Sequence, residues 1–514
     1  MRYALVVSFI LFAWCQIPAQ SAVDTLLVLP FENTSDKAEF NWVGESFADS
    51  LSNLLRVPNL NVISNDQRKI VQSKLRIPLT TLPSLATSLK LARETNATIL
   101  VSGRYNIIPA QGDSAATINV TAKIVRVNEG RFMSEELPDG RRITRDINLN
   151  DALGNLQSVQ GQIAYQILYQ RDKSLPFSQN QLIETASKVP ARAFEAYIKG
   201  LLSPTGDARE NFLKNAIRLY AEVSQDGTYS DAALELAHLY LGQRKFADAI
   251  NYFEQVINTQ QQCREKAKAE NRAPQCNDDI LAEASFYIGL VHLQQFNFER
   301  SIAVLRPLAE DMKLTSVYNA LGAIVVQASR AEKKNPARAA GLLNEGVELL
   351  KKAAEAATDD GNVKFNYAVS LYLSGNLQDA ATQFRSAIVS NPRDGEAYYI
   401  LSKALGEIKD PATADMDNQA RRYLTNNNRY ATLETEWTKS KSINGIPLRV
   451  EQPSRKDFVA VILSRKQGVA VQPLMNESDT LLAQARTMVK NGQDDEAMAV
   501  LRRVLASEPM SAES

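Results

Sequence analysis

Histidine is almost absent: His238 and His292 are the only two in 514 residues. Metal and general-base chemistry therefore have few candidates. No Walker-type phosphate loop, CxxC pair, HExxH or GxSxG occurs. Neither sign of charge is in excess, with Lys+Arg and Asp+Glu at 58 each. That balance excludes a global field that would draw in nucleic acid or an anionic membrane. Local basic clusters at Lys439–Lys441 and Arg455/Lys456 read as solvated surface. What the chain does have is length, with 45% hydrophobic and 23% charged residues, enough to bury substantial cores.

Long hydrophobic runs are also missing. The opening "MRYALVVSFILFAWCQIPAQSAVD" holds an apolar stretch from Ala4 to Trp14, short for a membrane span and right for a signal-peptide core. Pro18 breaks it, and Ala19-Gln20-Ser21 places small residues beside a cleavage point before Ala22 or Val23. Export to the periplasm is the expectation, with no membrane span after the signal is removed. A lipid anchor at Cys15 is disfavoured, because Trp14 stands where a lipobox needs a small residue. Cys263 and Cys276 then remain. They either bridge as a disulfide in an oxidising compartment or stay as two free surface thiols, since spacing alone does not place the Cα atoms.

From Asp24 to about Leu175 the hydrophobic period alternates between strand and helix. "TLLVLPF" (Thr25–Phe31) is a short apolar run of the kind buried in a sheet. Phe40–Val57 sets Val43, Phe47, Leu51, Leu54 and Leu55 on one helical face. "NLNVIS" follows as a strand, then helical patterns at Asp66–Leu75 and Leu85–Thr95. "ATILVSGRYNII" and "AATINVTAKIVRV" form a β-hairpin pattern. "RFMSEEL" and "RRITRDINL" extend the sheet, and Asp151 is placed to cap a last helix through Tyr169. Asp49, within "FADSL", is taken as a structural helix residue.

In order and spacing, "LVLPFENTS" (Leu27–Ser35), "WVGESFADSL" (Trp42–Leu51), "NVIS" (Asn61–Ser64), "ATILVSGRY" (Ala97–Tyr105) and "INVTAKIVRV" (Ile118–Val127) resemble the TolB-type amino-terminal domain. They resemble more distantly the α/β domains of curli-secretion lipoproteins. Nothing after them resembles TolB's β-propeller, so Tol–Pal function does not carry over. The resemblance implies a binding or assembly domain in the cell envelope.

From Pro190 onward the pattern is helical and rich in alanine and leucine. "ELAHLYLGQRKFADAINYFEQVI" aligns with "YLSGNLQDAATQFRSAIVSNP" so that Ala237 matches Ala368, Ala249 matches Ala380 and Phe253 matches Phe384. The same register returns at Gly289, Ser301 and Leu305, and again at Ala485, Gly492, Ala497 and Leu501. The pattern resembles the tetratricopeptide repeat, a helical hairpin of about 34 residues. Small residues facing each other let two helix axes approach, and the large apolar residue fills the groove to the next hairpin. An amphipathic helix by itself would not fix the small residues in this register.

The expected architecture is thus multidomain: an N-terminal α/β domain followed by an all-α tetratricopeptide-repeat superhelix, an α-solenoid. Its divisions are a signal peptide at 1–21, the α/β domain at 22–175, a linker at 176–189 and repeats at 190–428. Insertions fall at 259–281 and 329–343, a non-repeat segment at 429–476 and a terminal repeat at 477–509. The role of the non-repeat segment is open, with "GIPLRV" and "DFVAVIL" read there as short strands.

In such arrays the first helices line a recognition face. Residues three before the small packing position, or one after it, point into that face. The candidates are Leu234, His238, Phe286, Asn319, Phe365, Val369, Tyr372, Tyr399 and Lys403. This set expects a protein or peptide partner with apolar anchors, an envelope component among the candidates, and neither nucleic acid nor a cofactor or metal. The competing placement packs some of these aromatics within or between hairpins. A recognition face predicts that Phe365→Ala with Tyr399→Ala spares stability and weakens partner capture; a core predicts collapse of stability. The preferred function is a non-catalytic envelope scaffold. A carboxylate-based glycan hydrolase with repeats that position substrate, and a small-ligand sensor acting through the α/β domain, are the alternatives.

Overall fold

The computed structural model describes residues 24–466, apart from 58–59, 79–82, 111–114, 137–141, 174, 205, 225–226, 272–275 and 454, together with 498 and 500. The expected signal peptide and the terminal repeat at 477–509 therefore lie outside the described residues, save for 498 and 500. The chain divides into two compact units at Ala191/Arg192.

The first unit is built on a sheet. Its elements run β1 (Asp24–Val28), β2 (Glu32–Asn33), α1 (Trp42–Leu54), β3 (Leu60–Val62), α2 (Asn65–Lys74), α3 (Leu85–Glu94), β4 (Ile99–Ile108) and β5 (Thr117–Arg126). After these come β6 (Arg131–Phe132), β7 (Ser134–Glu136), β8 (Arg142–Thr144), β9 (Ile147–Ala152), α4 (Leu156–Arg171) and α5 (Gln179–Ala186). The strand order is β3-β1-β4-β5-β6, with β2 also on β4 and β9 also on β5. β1 is parallel to both its neighbours, while β4 and β5 form the expected antiparallel hairpin, Ile99 opposite Arg126.

The continuous apolar run of β1 follows from burial on both faces. Leu26 and Val28 join Phe47, Leu51 and Ile163 on one side. Leu27 and Leu29 meet Leu91, Leu100 and Val125 on the other. Two expectations are corrected. Asp151 does not cap α4: it lies in β9, where its carboxylate accepts from Ala152 N at 2.7 Å and Asn155 Nδ2 at 2.8 Å. Of the segments expected to extend the sheet, β6 and β9 do so, whereas β7 and β8 pair with each other in a separate ribbon. Asp49 accepts a hydrogen bond from Asn65 Nδ2 at 3.4 Å, and a buried ion pair joins Arg68 to Glu45 at 2.5 Å.

The second unit is helical. α6 (Ala191–Leu202) and α7 (Asp207–Ala221) precede five close-packed hairpins: α8 (Ser230–Gly242) with α9 (Phe246–Ala269), α10 (Asp278–Gln294) with α11 (Phe298–Met312), α12 (Thr315–Ala331) with α13 (Pro336–Ala356), α14 (Gly361–Leu373) with α15 (Leu377–Ser390), and α16 (Gly395–Glu407) with α17 (Thr413–Tyr423). Each hairpin packs on the next. Among the described residues two more helices follow, α18 (Arg429–Ser440) and α19 (Arg455–Lys466). The segment read as the strand "DFVAVIL" is helix α19, because Phe458, Val461 and Ile462 are buried at helical spacing.

The small-residue register does what its spacing implies. Ala237, Ala249, Ala368 and Ala380 are fully buried, as are the groove-filling Phe253 and Phe384. The two expected insertions are largely absorbed as extra helical turns. α9 runs to Ala269, and α13 starts at Pro336 under an Asn335 side-chain cap. The Cys263 and Cys276 sulfurs are bonded at 2.03 Å, tying the end of α9 to the approach to α10. Gln260 holds the same junction, accepting from Asn277 N and donating to Ser230 Oγ, each at 2.8 Å.

Close approach within a hairpin is evident at Gly289, where a Cβ would stand 2.5 Å from Leu305 Cγ; a Cβ at Gly242 would meet nothing within 4 Å. Gly289→Ala is expected to cost about 1–3 kcal/mol by overpacking. Gly242→Ala stays within about 0.5 kcal/mol of the parent. Urea unfolding of the two variants compares them directly, and equal stabilities would contradict the close-packing account.

Candidate functional site: the face of the first helices

The nine residues expected to form a recognition face do share the first helices α8, α10, α12, α14 and α16. The structure departs from an open groove, however. Leu234, Phe286, Asn319, Phe365, Val369 and Tyr399 are buried, and His238, Tyr372 and Lys403 are partly so. The physical reason is that the chain itself covers much of this face. Residues 429–462 run back across it, from α16 toward α8, opposite to the order of the repeats.

The crossing begins with α18. Arg429 reaches Glu396 at 2.7 Å. Glu434 accepts from Lys403 Nζ at 2.6 Å and from the Tyr399 hydroxyl at 3.1 Å. The Lys403 ammonium also lies 4.7 Å from the Tyr399 ring centre, and Trp437 packs near Tyr372 with centroids 6.4 Å apart. Burial, with the neighbouring Glu434 carboxylate, pushes the Tyr399 hydroxyl well above its ordinary range. Leu433, Trp437, Ile443, Ile446 and Leu448 join Phe365, Val369 and Tyr399 in one apolar cluster.

Residues 442–453 then follow without helix or strand. "GIPLRV" leaves a turn at Gly445–Ile446 and runs on from Pro447 without helix or strand, with no strand partner among the described residues. Side chains take the ladder's place. Arg330 donates to Ile443 O at 2.6 Å and Ile446 O at 3.2 Å. Asn366 accepts from Arg449 N at 2.8 Å and donates to Arg449 O at 2.5 Å. Asn319 donates to the same carbonyl at 3.1 Å. Both asparagines are fully buried, so these bonds satisfy amide groups that would be costly to leave alone.

The Arg449 side chain enters a built site. Its guanidinium donates to Asp394 Oδ1 at 2.8 Å and lies 2.6 Å from Oδ2 as an ion pair, and such a charge-assisted hydrogen bond is stronger than a neutral one. It lies 3.5 Å from the Phe365 ring centre and donates to Asn362 at 3.3 Å. Asp394 is fixed by its place at the start of α16, where it accepts from Ala397 N at 3.1 Å. Asn362 also donates to Glu451 at 2.5 Å. Burial, with Asp360 nearby, raises the Glu451 carboxyl.

A second arginine site closes the crossing. Arg455 donates to Glu283 at 2.6 Å and lies 3.5 Å from Glu235. His238 bonds Glu283 at 2.9 Å and meets Tyr287 edge-on at 4.4 Å. Burial alone would raise the Glu283 carboxyl, but the Arg455 charge and the hydrogen bonds from His238 and Arg455 hold it at about 2. Phe458, Val461 and Ile462 pack in one cluster with Phe286.

Sequence reasoning found the face but missed Arg330, Asn362, Asn366, Asp394, Glu283, Arg449 and Arg455, which hold its occupant. Asn366 was the most findable, next to Phe365 on a first helix and, like Asn319, on a helix otherwise rich in apolar residues. The arginines carry no such signal, because their hydrogen-bond partners lie 55 to 172 residues away.

With this geometry in view, the comparisons agree on the repeat. Sequence profiles of the tetratricopeptide repeat match residues 232–267, 335–394, 368–414 and 479–511, so the chain contains these repeats. No curated protein matches the chain. Among solved structures it is similar to YrrB, described as a TPR protein with an unusual peptide-binding site, at 14% identity over 43% of this chain and 97% of that one, TM-score 0.32. It is similar also to a MamA structure from Desulfovibrio magneticus RS-1, at 11% identity over 38% and 94%, TM-score 0.30. No helix among the described residues is long and apolar enough to cross a membrane.

Proposed function

We propose that the protein is a non-catalytic binding scaffold, exported to the periplasm, whose first-helix face holds extended polypeptide. One observation carries the reading: Asn366 grips both the N–H and the carbonyl of Arg449, and Asn319 adds a second bond to that carbonyl. A side chain that pairs with both backbone groups of one residue is a holder of extended chain, whatever that chain's sequence. The carboxylates at the face, Asp394 and Glu283, are engaged by arginines, an arrangement suited to binding rather than to glycan hydrolysis.

Export rests on the apolar leader before Ala22, and the Cys263–Cys276 bridge suits an oxidising compartment. The first unit, with its resemblance to the TolB-type domain, would dock the scaffold to an envelope component. Photo-crosslinking residues at Tyr287 and Tyr372, on the rim of the face, with one at the exposed Val389 on α15 as control, test the reading in cells. A discrete adduct from the rim positions and a periplasmic location support it. Absence of any adduct, or retention in the cytoplasm, would overturn it.

A further inference from the structure

We propose that the face is an arginine-reading groove and that residues 443–453 are its resident ligand in cis, displaced by a partner segment of the same chemistry. The inference rests on the reading of this face as a holder of extended chain and names what that chain must present.

Three features of the occupant define the class. It makes a turn at Ile443–Ile446, closed by Ile446 N donating to Ile443 O at 3.0 Å, then runs on without helix or strand. It draws its long-range backbone hydrogen bonds from Arg330, Asn319, Asn366 and Arg429, the last donating to Gly445 O at 2.8 Å. A grip on backbone atoms is open to any extended segment. Its central side chain is a guanidinium paired with the Asp394 carboxylate and set over an aromatic face, Phe365. Lysine, a point charge without a planar fork, fits that site poorly. Finally, the surroundings are acidic. Among the carboxylates that the first helices supply, Asp394 pairs with Arg449, and Glu283 with Glu235 receives a second arginine, Arg455. Charge complementarity therefore selects a cationic peptide over an acidic or phosphorylated one. The partner is an extended protein segment with arginine flanked by branched aliphatic residues, as in Leu448-Arg449-Val450.

The occupant is contributed from outside the packed hairpins, and it stands in the ligand's position rather than between helices. Its removal leaves the Asn and Asp side chains on first helices that the hairpins themselves position. A tethered copy of the ligand sets a threshold: a partner must outcompete an intramolecular segment at high effective concentration.

The probe is a fluorescein-labelled peptide of residues 443–453, read by anisotropy. Arg449→Ala removes the resident guanidinium and leaves the pocket, so this chain is expected to bind the peptide at least about tenfold tighter than the unmodified chain. Adding Asp394→Asn, which keeps a good helix cap, abolishes that gain, and a peptide with alanine in place of the arginine fails to bind. A folded Arg449→Ala chain that does not bind, or binds the alanine peptide equally well, overturns the proposal. Hydrogen exchange on the unmodified chain needs no variant. Excess peptide is expected to speed exchange within 443–453, and unchanged exchange at the highest peptide concentration overturns it, as does a dimer that trades this segment between copies. Rim crosslinks in cells combined with a peptide that never displaces the segment would leave the scaffold standing and remove only the cis-ligand reading.

Discussion

Phe365→Ala is expected to destabilise the repeat unit by about 3–5 kcal/mol, the usual cost of emptying a fully buried phenylalanine site. The ring is wholly excluded from solvent. It packs edge-on against Phe384 at 5.8 Å, an interaction within the α14/α15 hairpin, and its face carries the Arg449 guanidinium. Truncation therefore opens a cavity between two helices and also strips the aromatic support from an ion pair. Tyr399→Ala adds to the loss, because its ring joins the same cluster and its hydroxyl donates to Glu434. The two sites share the cluster, so their effects are not expected to add simply. Urea unfolding followed by Trp437 fluorescence in a Trp14→Phe, Trp42→Phe background measures the change locally. A Phe365→Ala chain within about 1 kcal/mol of the parent would show that the face is surface and its coverage incidental.

That expectation reverses the one drawn for an open recognition face, and the reason separates what was legible in sequence from what was not. The repeats were legible because their signal is local. Ala237 and Ala249, or Ala368 and Ala380, are twelve positions apart, within one hairpin, and close packing admits nothing larger there. The sheet was legible at β1, β4 and β5 for a similar reason, the run and alternation of branched residues. Asp151 misled because a polar residue before a helical pattern signals a cap only if the chain has already left the strand, and β9 had not. The occupied face depends on pairings across 83 residues at Asn366 and 172 at Arg455. "GIPLRV" announces an extended chain, but nothing in it states that side-chain amides, rather than a strand, receive its backbone. Periodicity placed Phe286, Phe365 and Tyr399 on first helices and was silent on what covers them.

The anchor at the far end of the crossing gives the other large effect. Arg455→Ala is expected to cost about 3–5 kcal/mol, because it leaves the Glu283 carboxylate buried without its main counter-charge. The Glu283 side chain is only 8% exposed, so water screens little of the loss. Replacing the carboxylate as well, in Arg455→Ala with Glu283→Gln, is expected to restore part of the stability, since a buried neutral amide next to His238 is less costly than a stranded charge. Acid titration reports on the same pair. Glu283 titrates at about 2 in the folded chain against 4.5 ordinarily, and a carboxyl depressed by folding contributes stability that is fully present above its unfolded value. The contribution, roughly 3 kcal/mol from that depression, fades as pH falls from 4.5 toward 2. Unfolding free energies of the parent chain should therefore drop more steeply over this window than those of Glu283→Gln. Parallel profiles for the two chains would mean that the Arg455–Glu283 pair does not fasten α19 to the face.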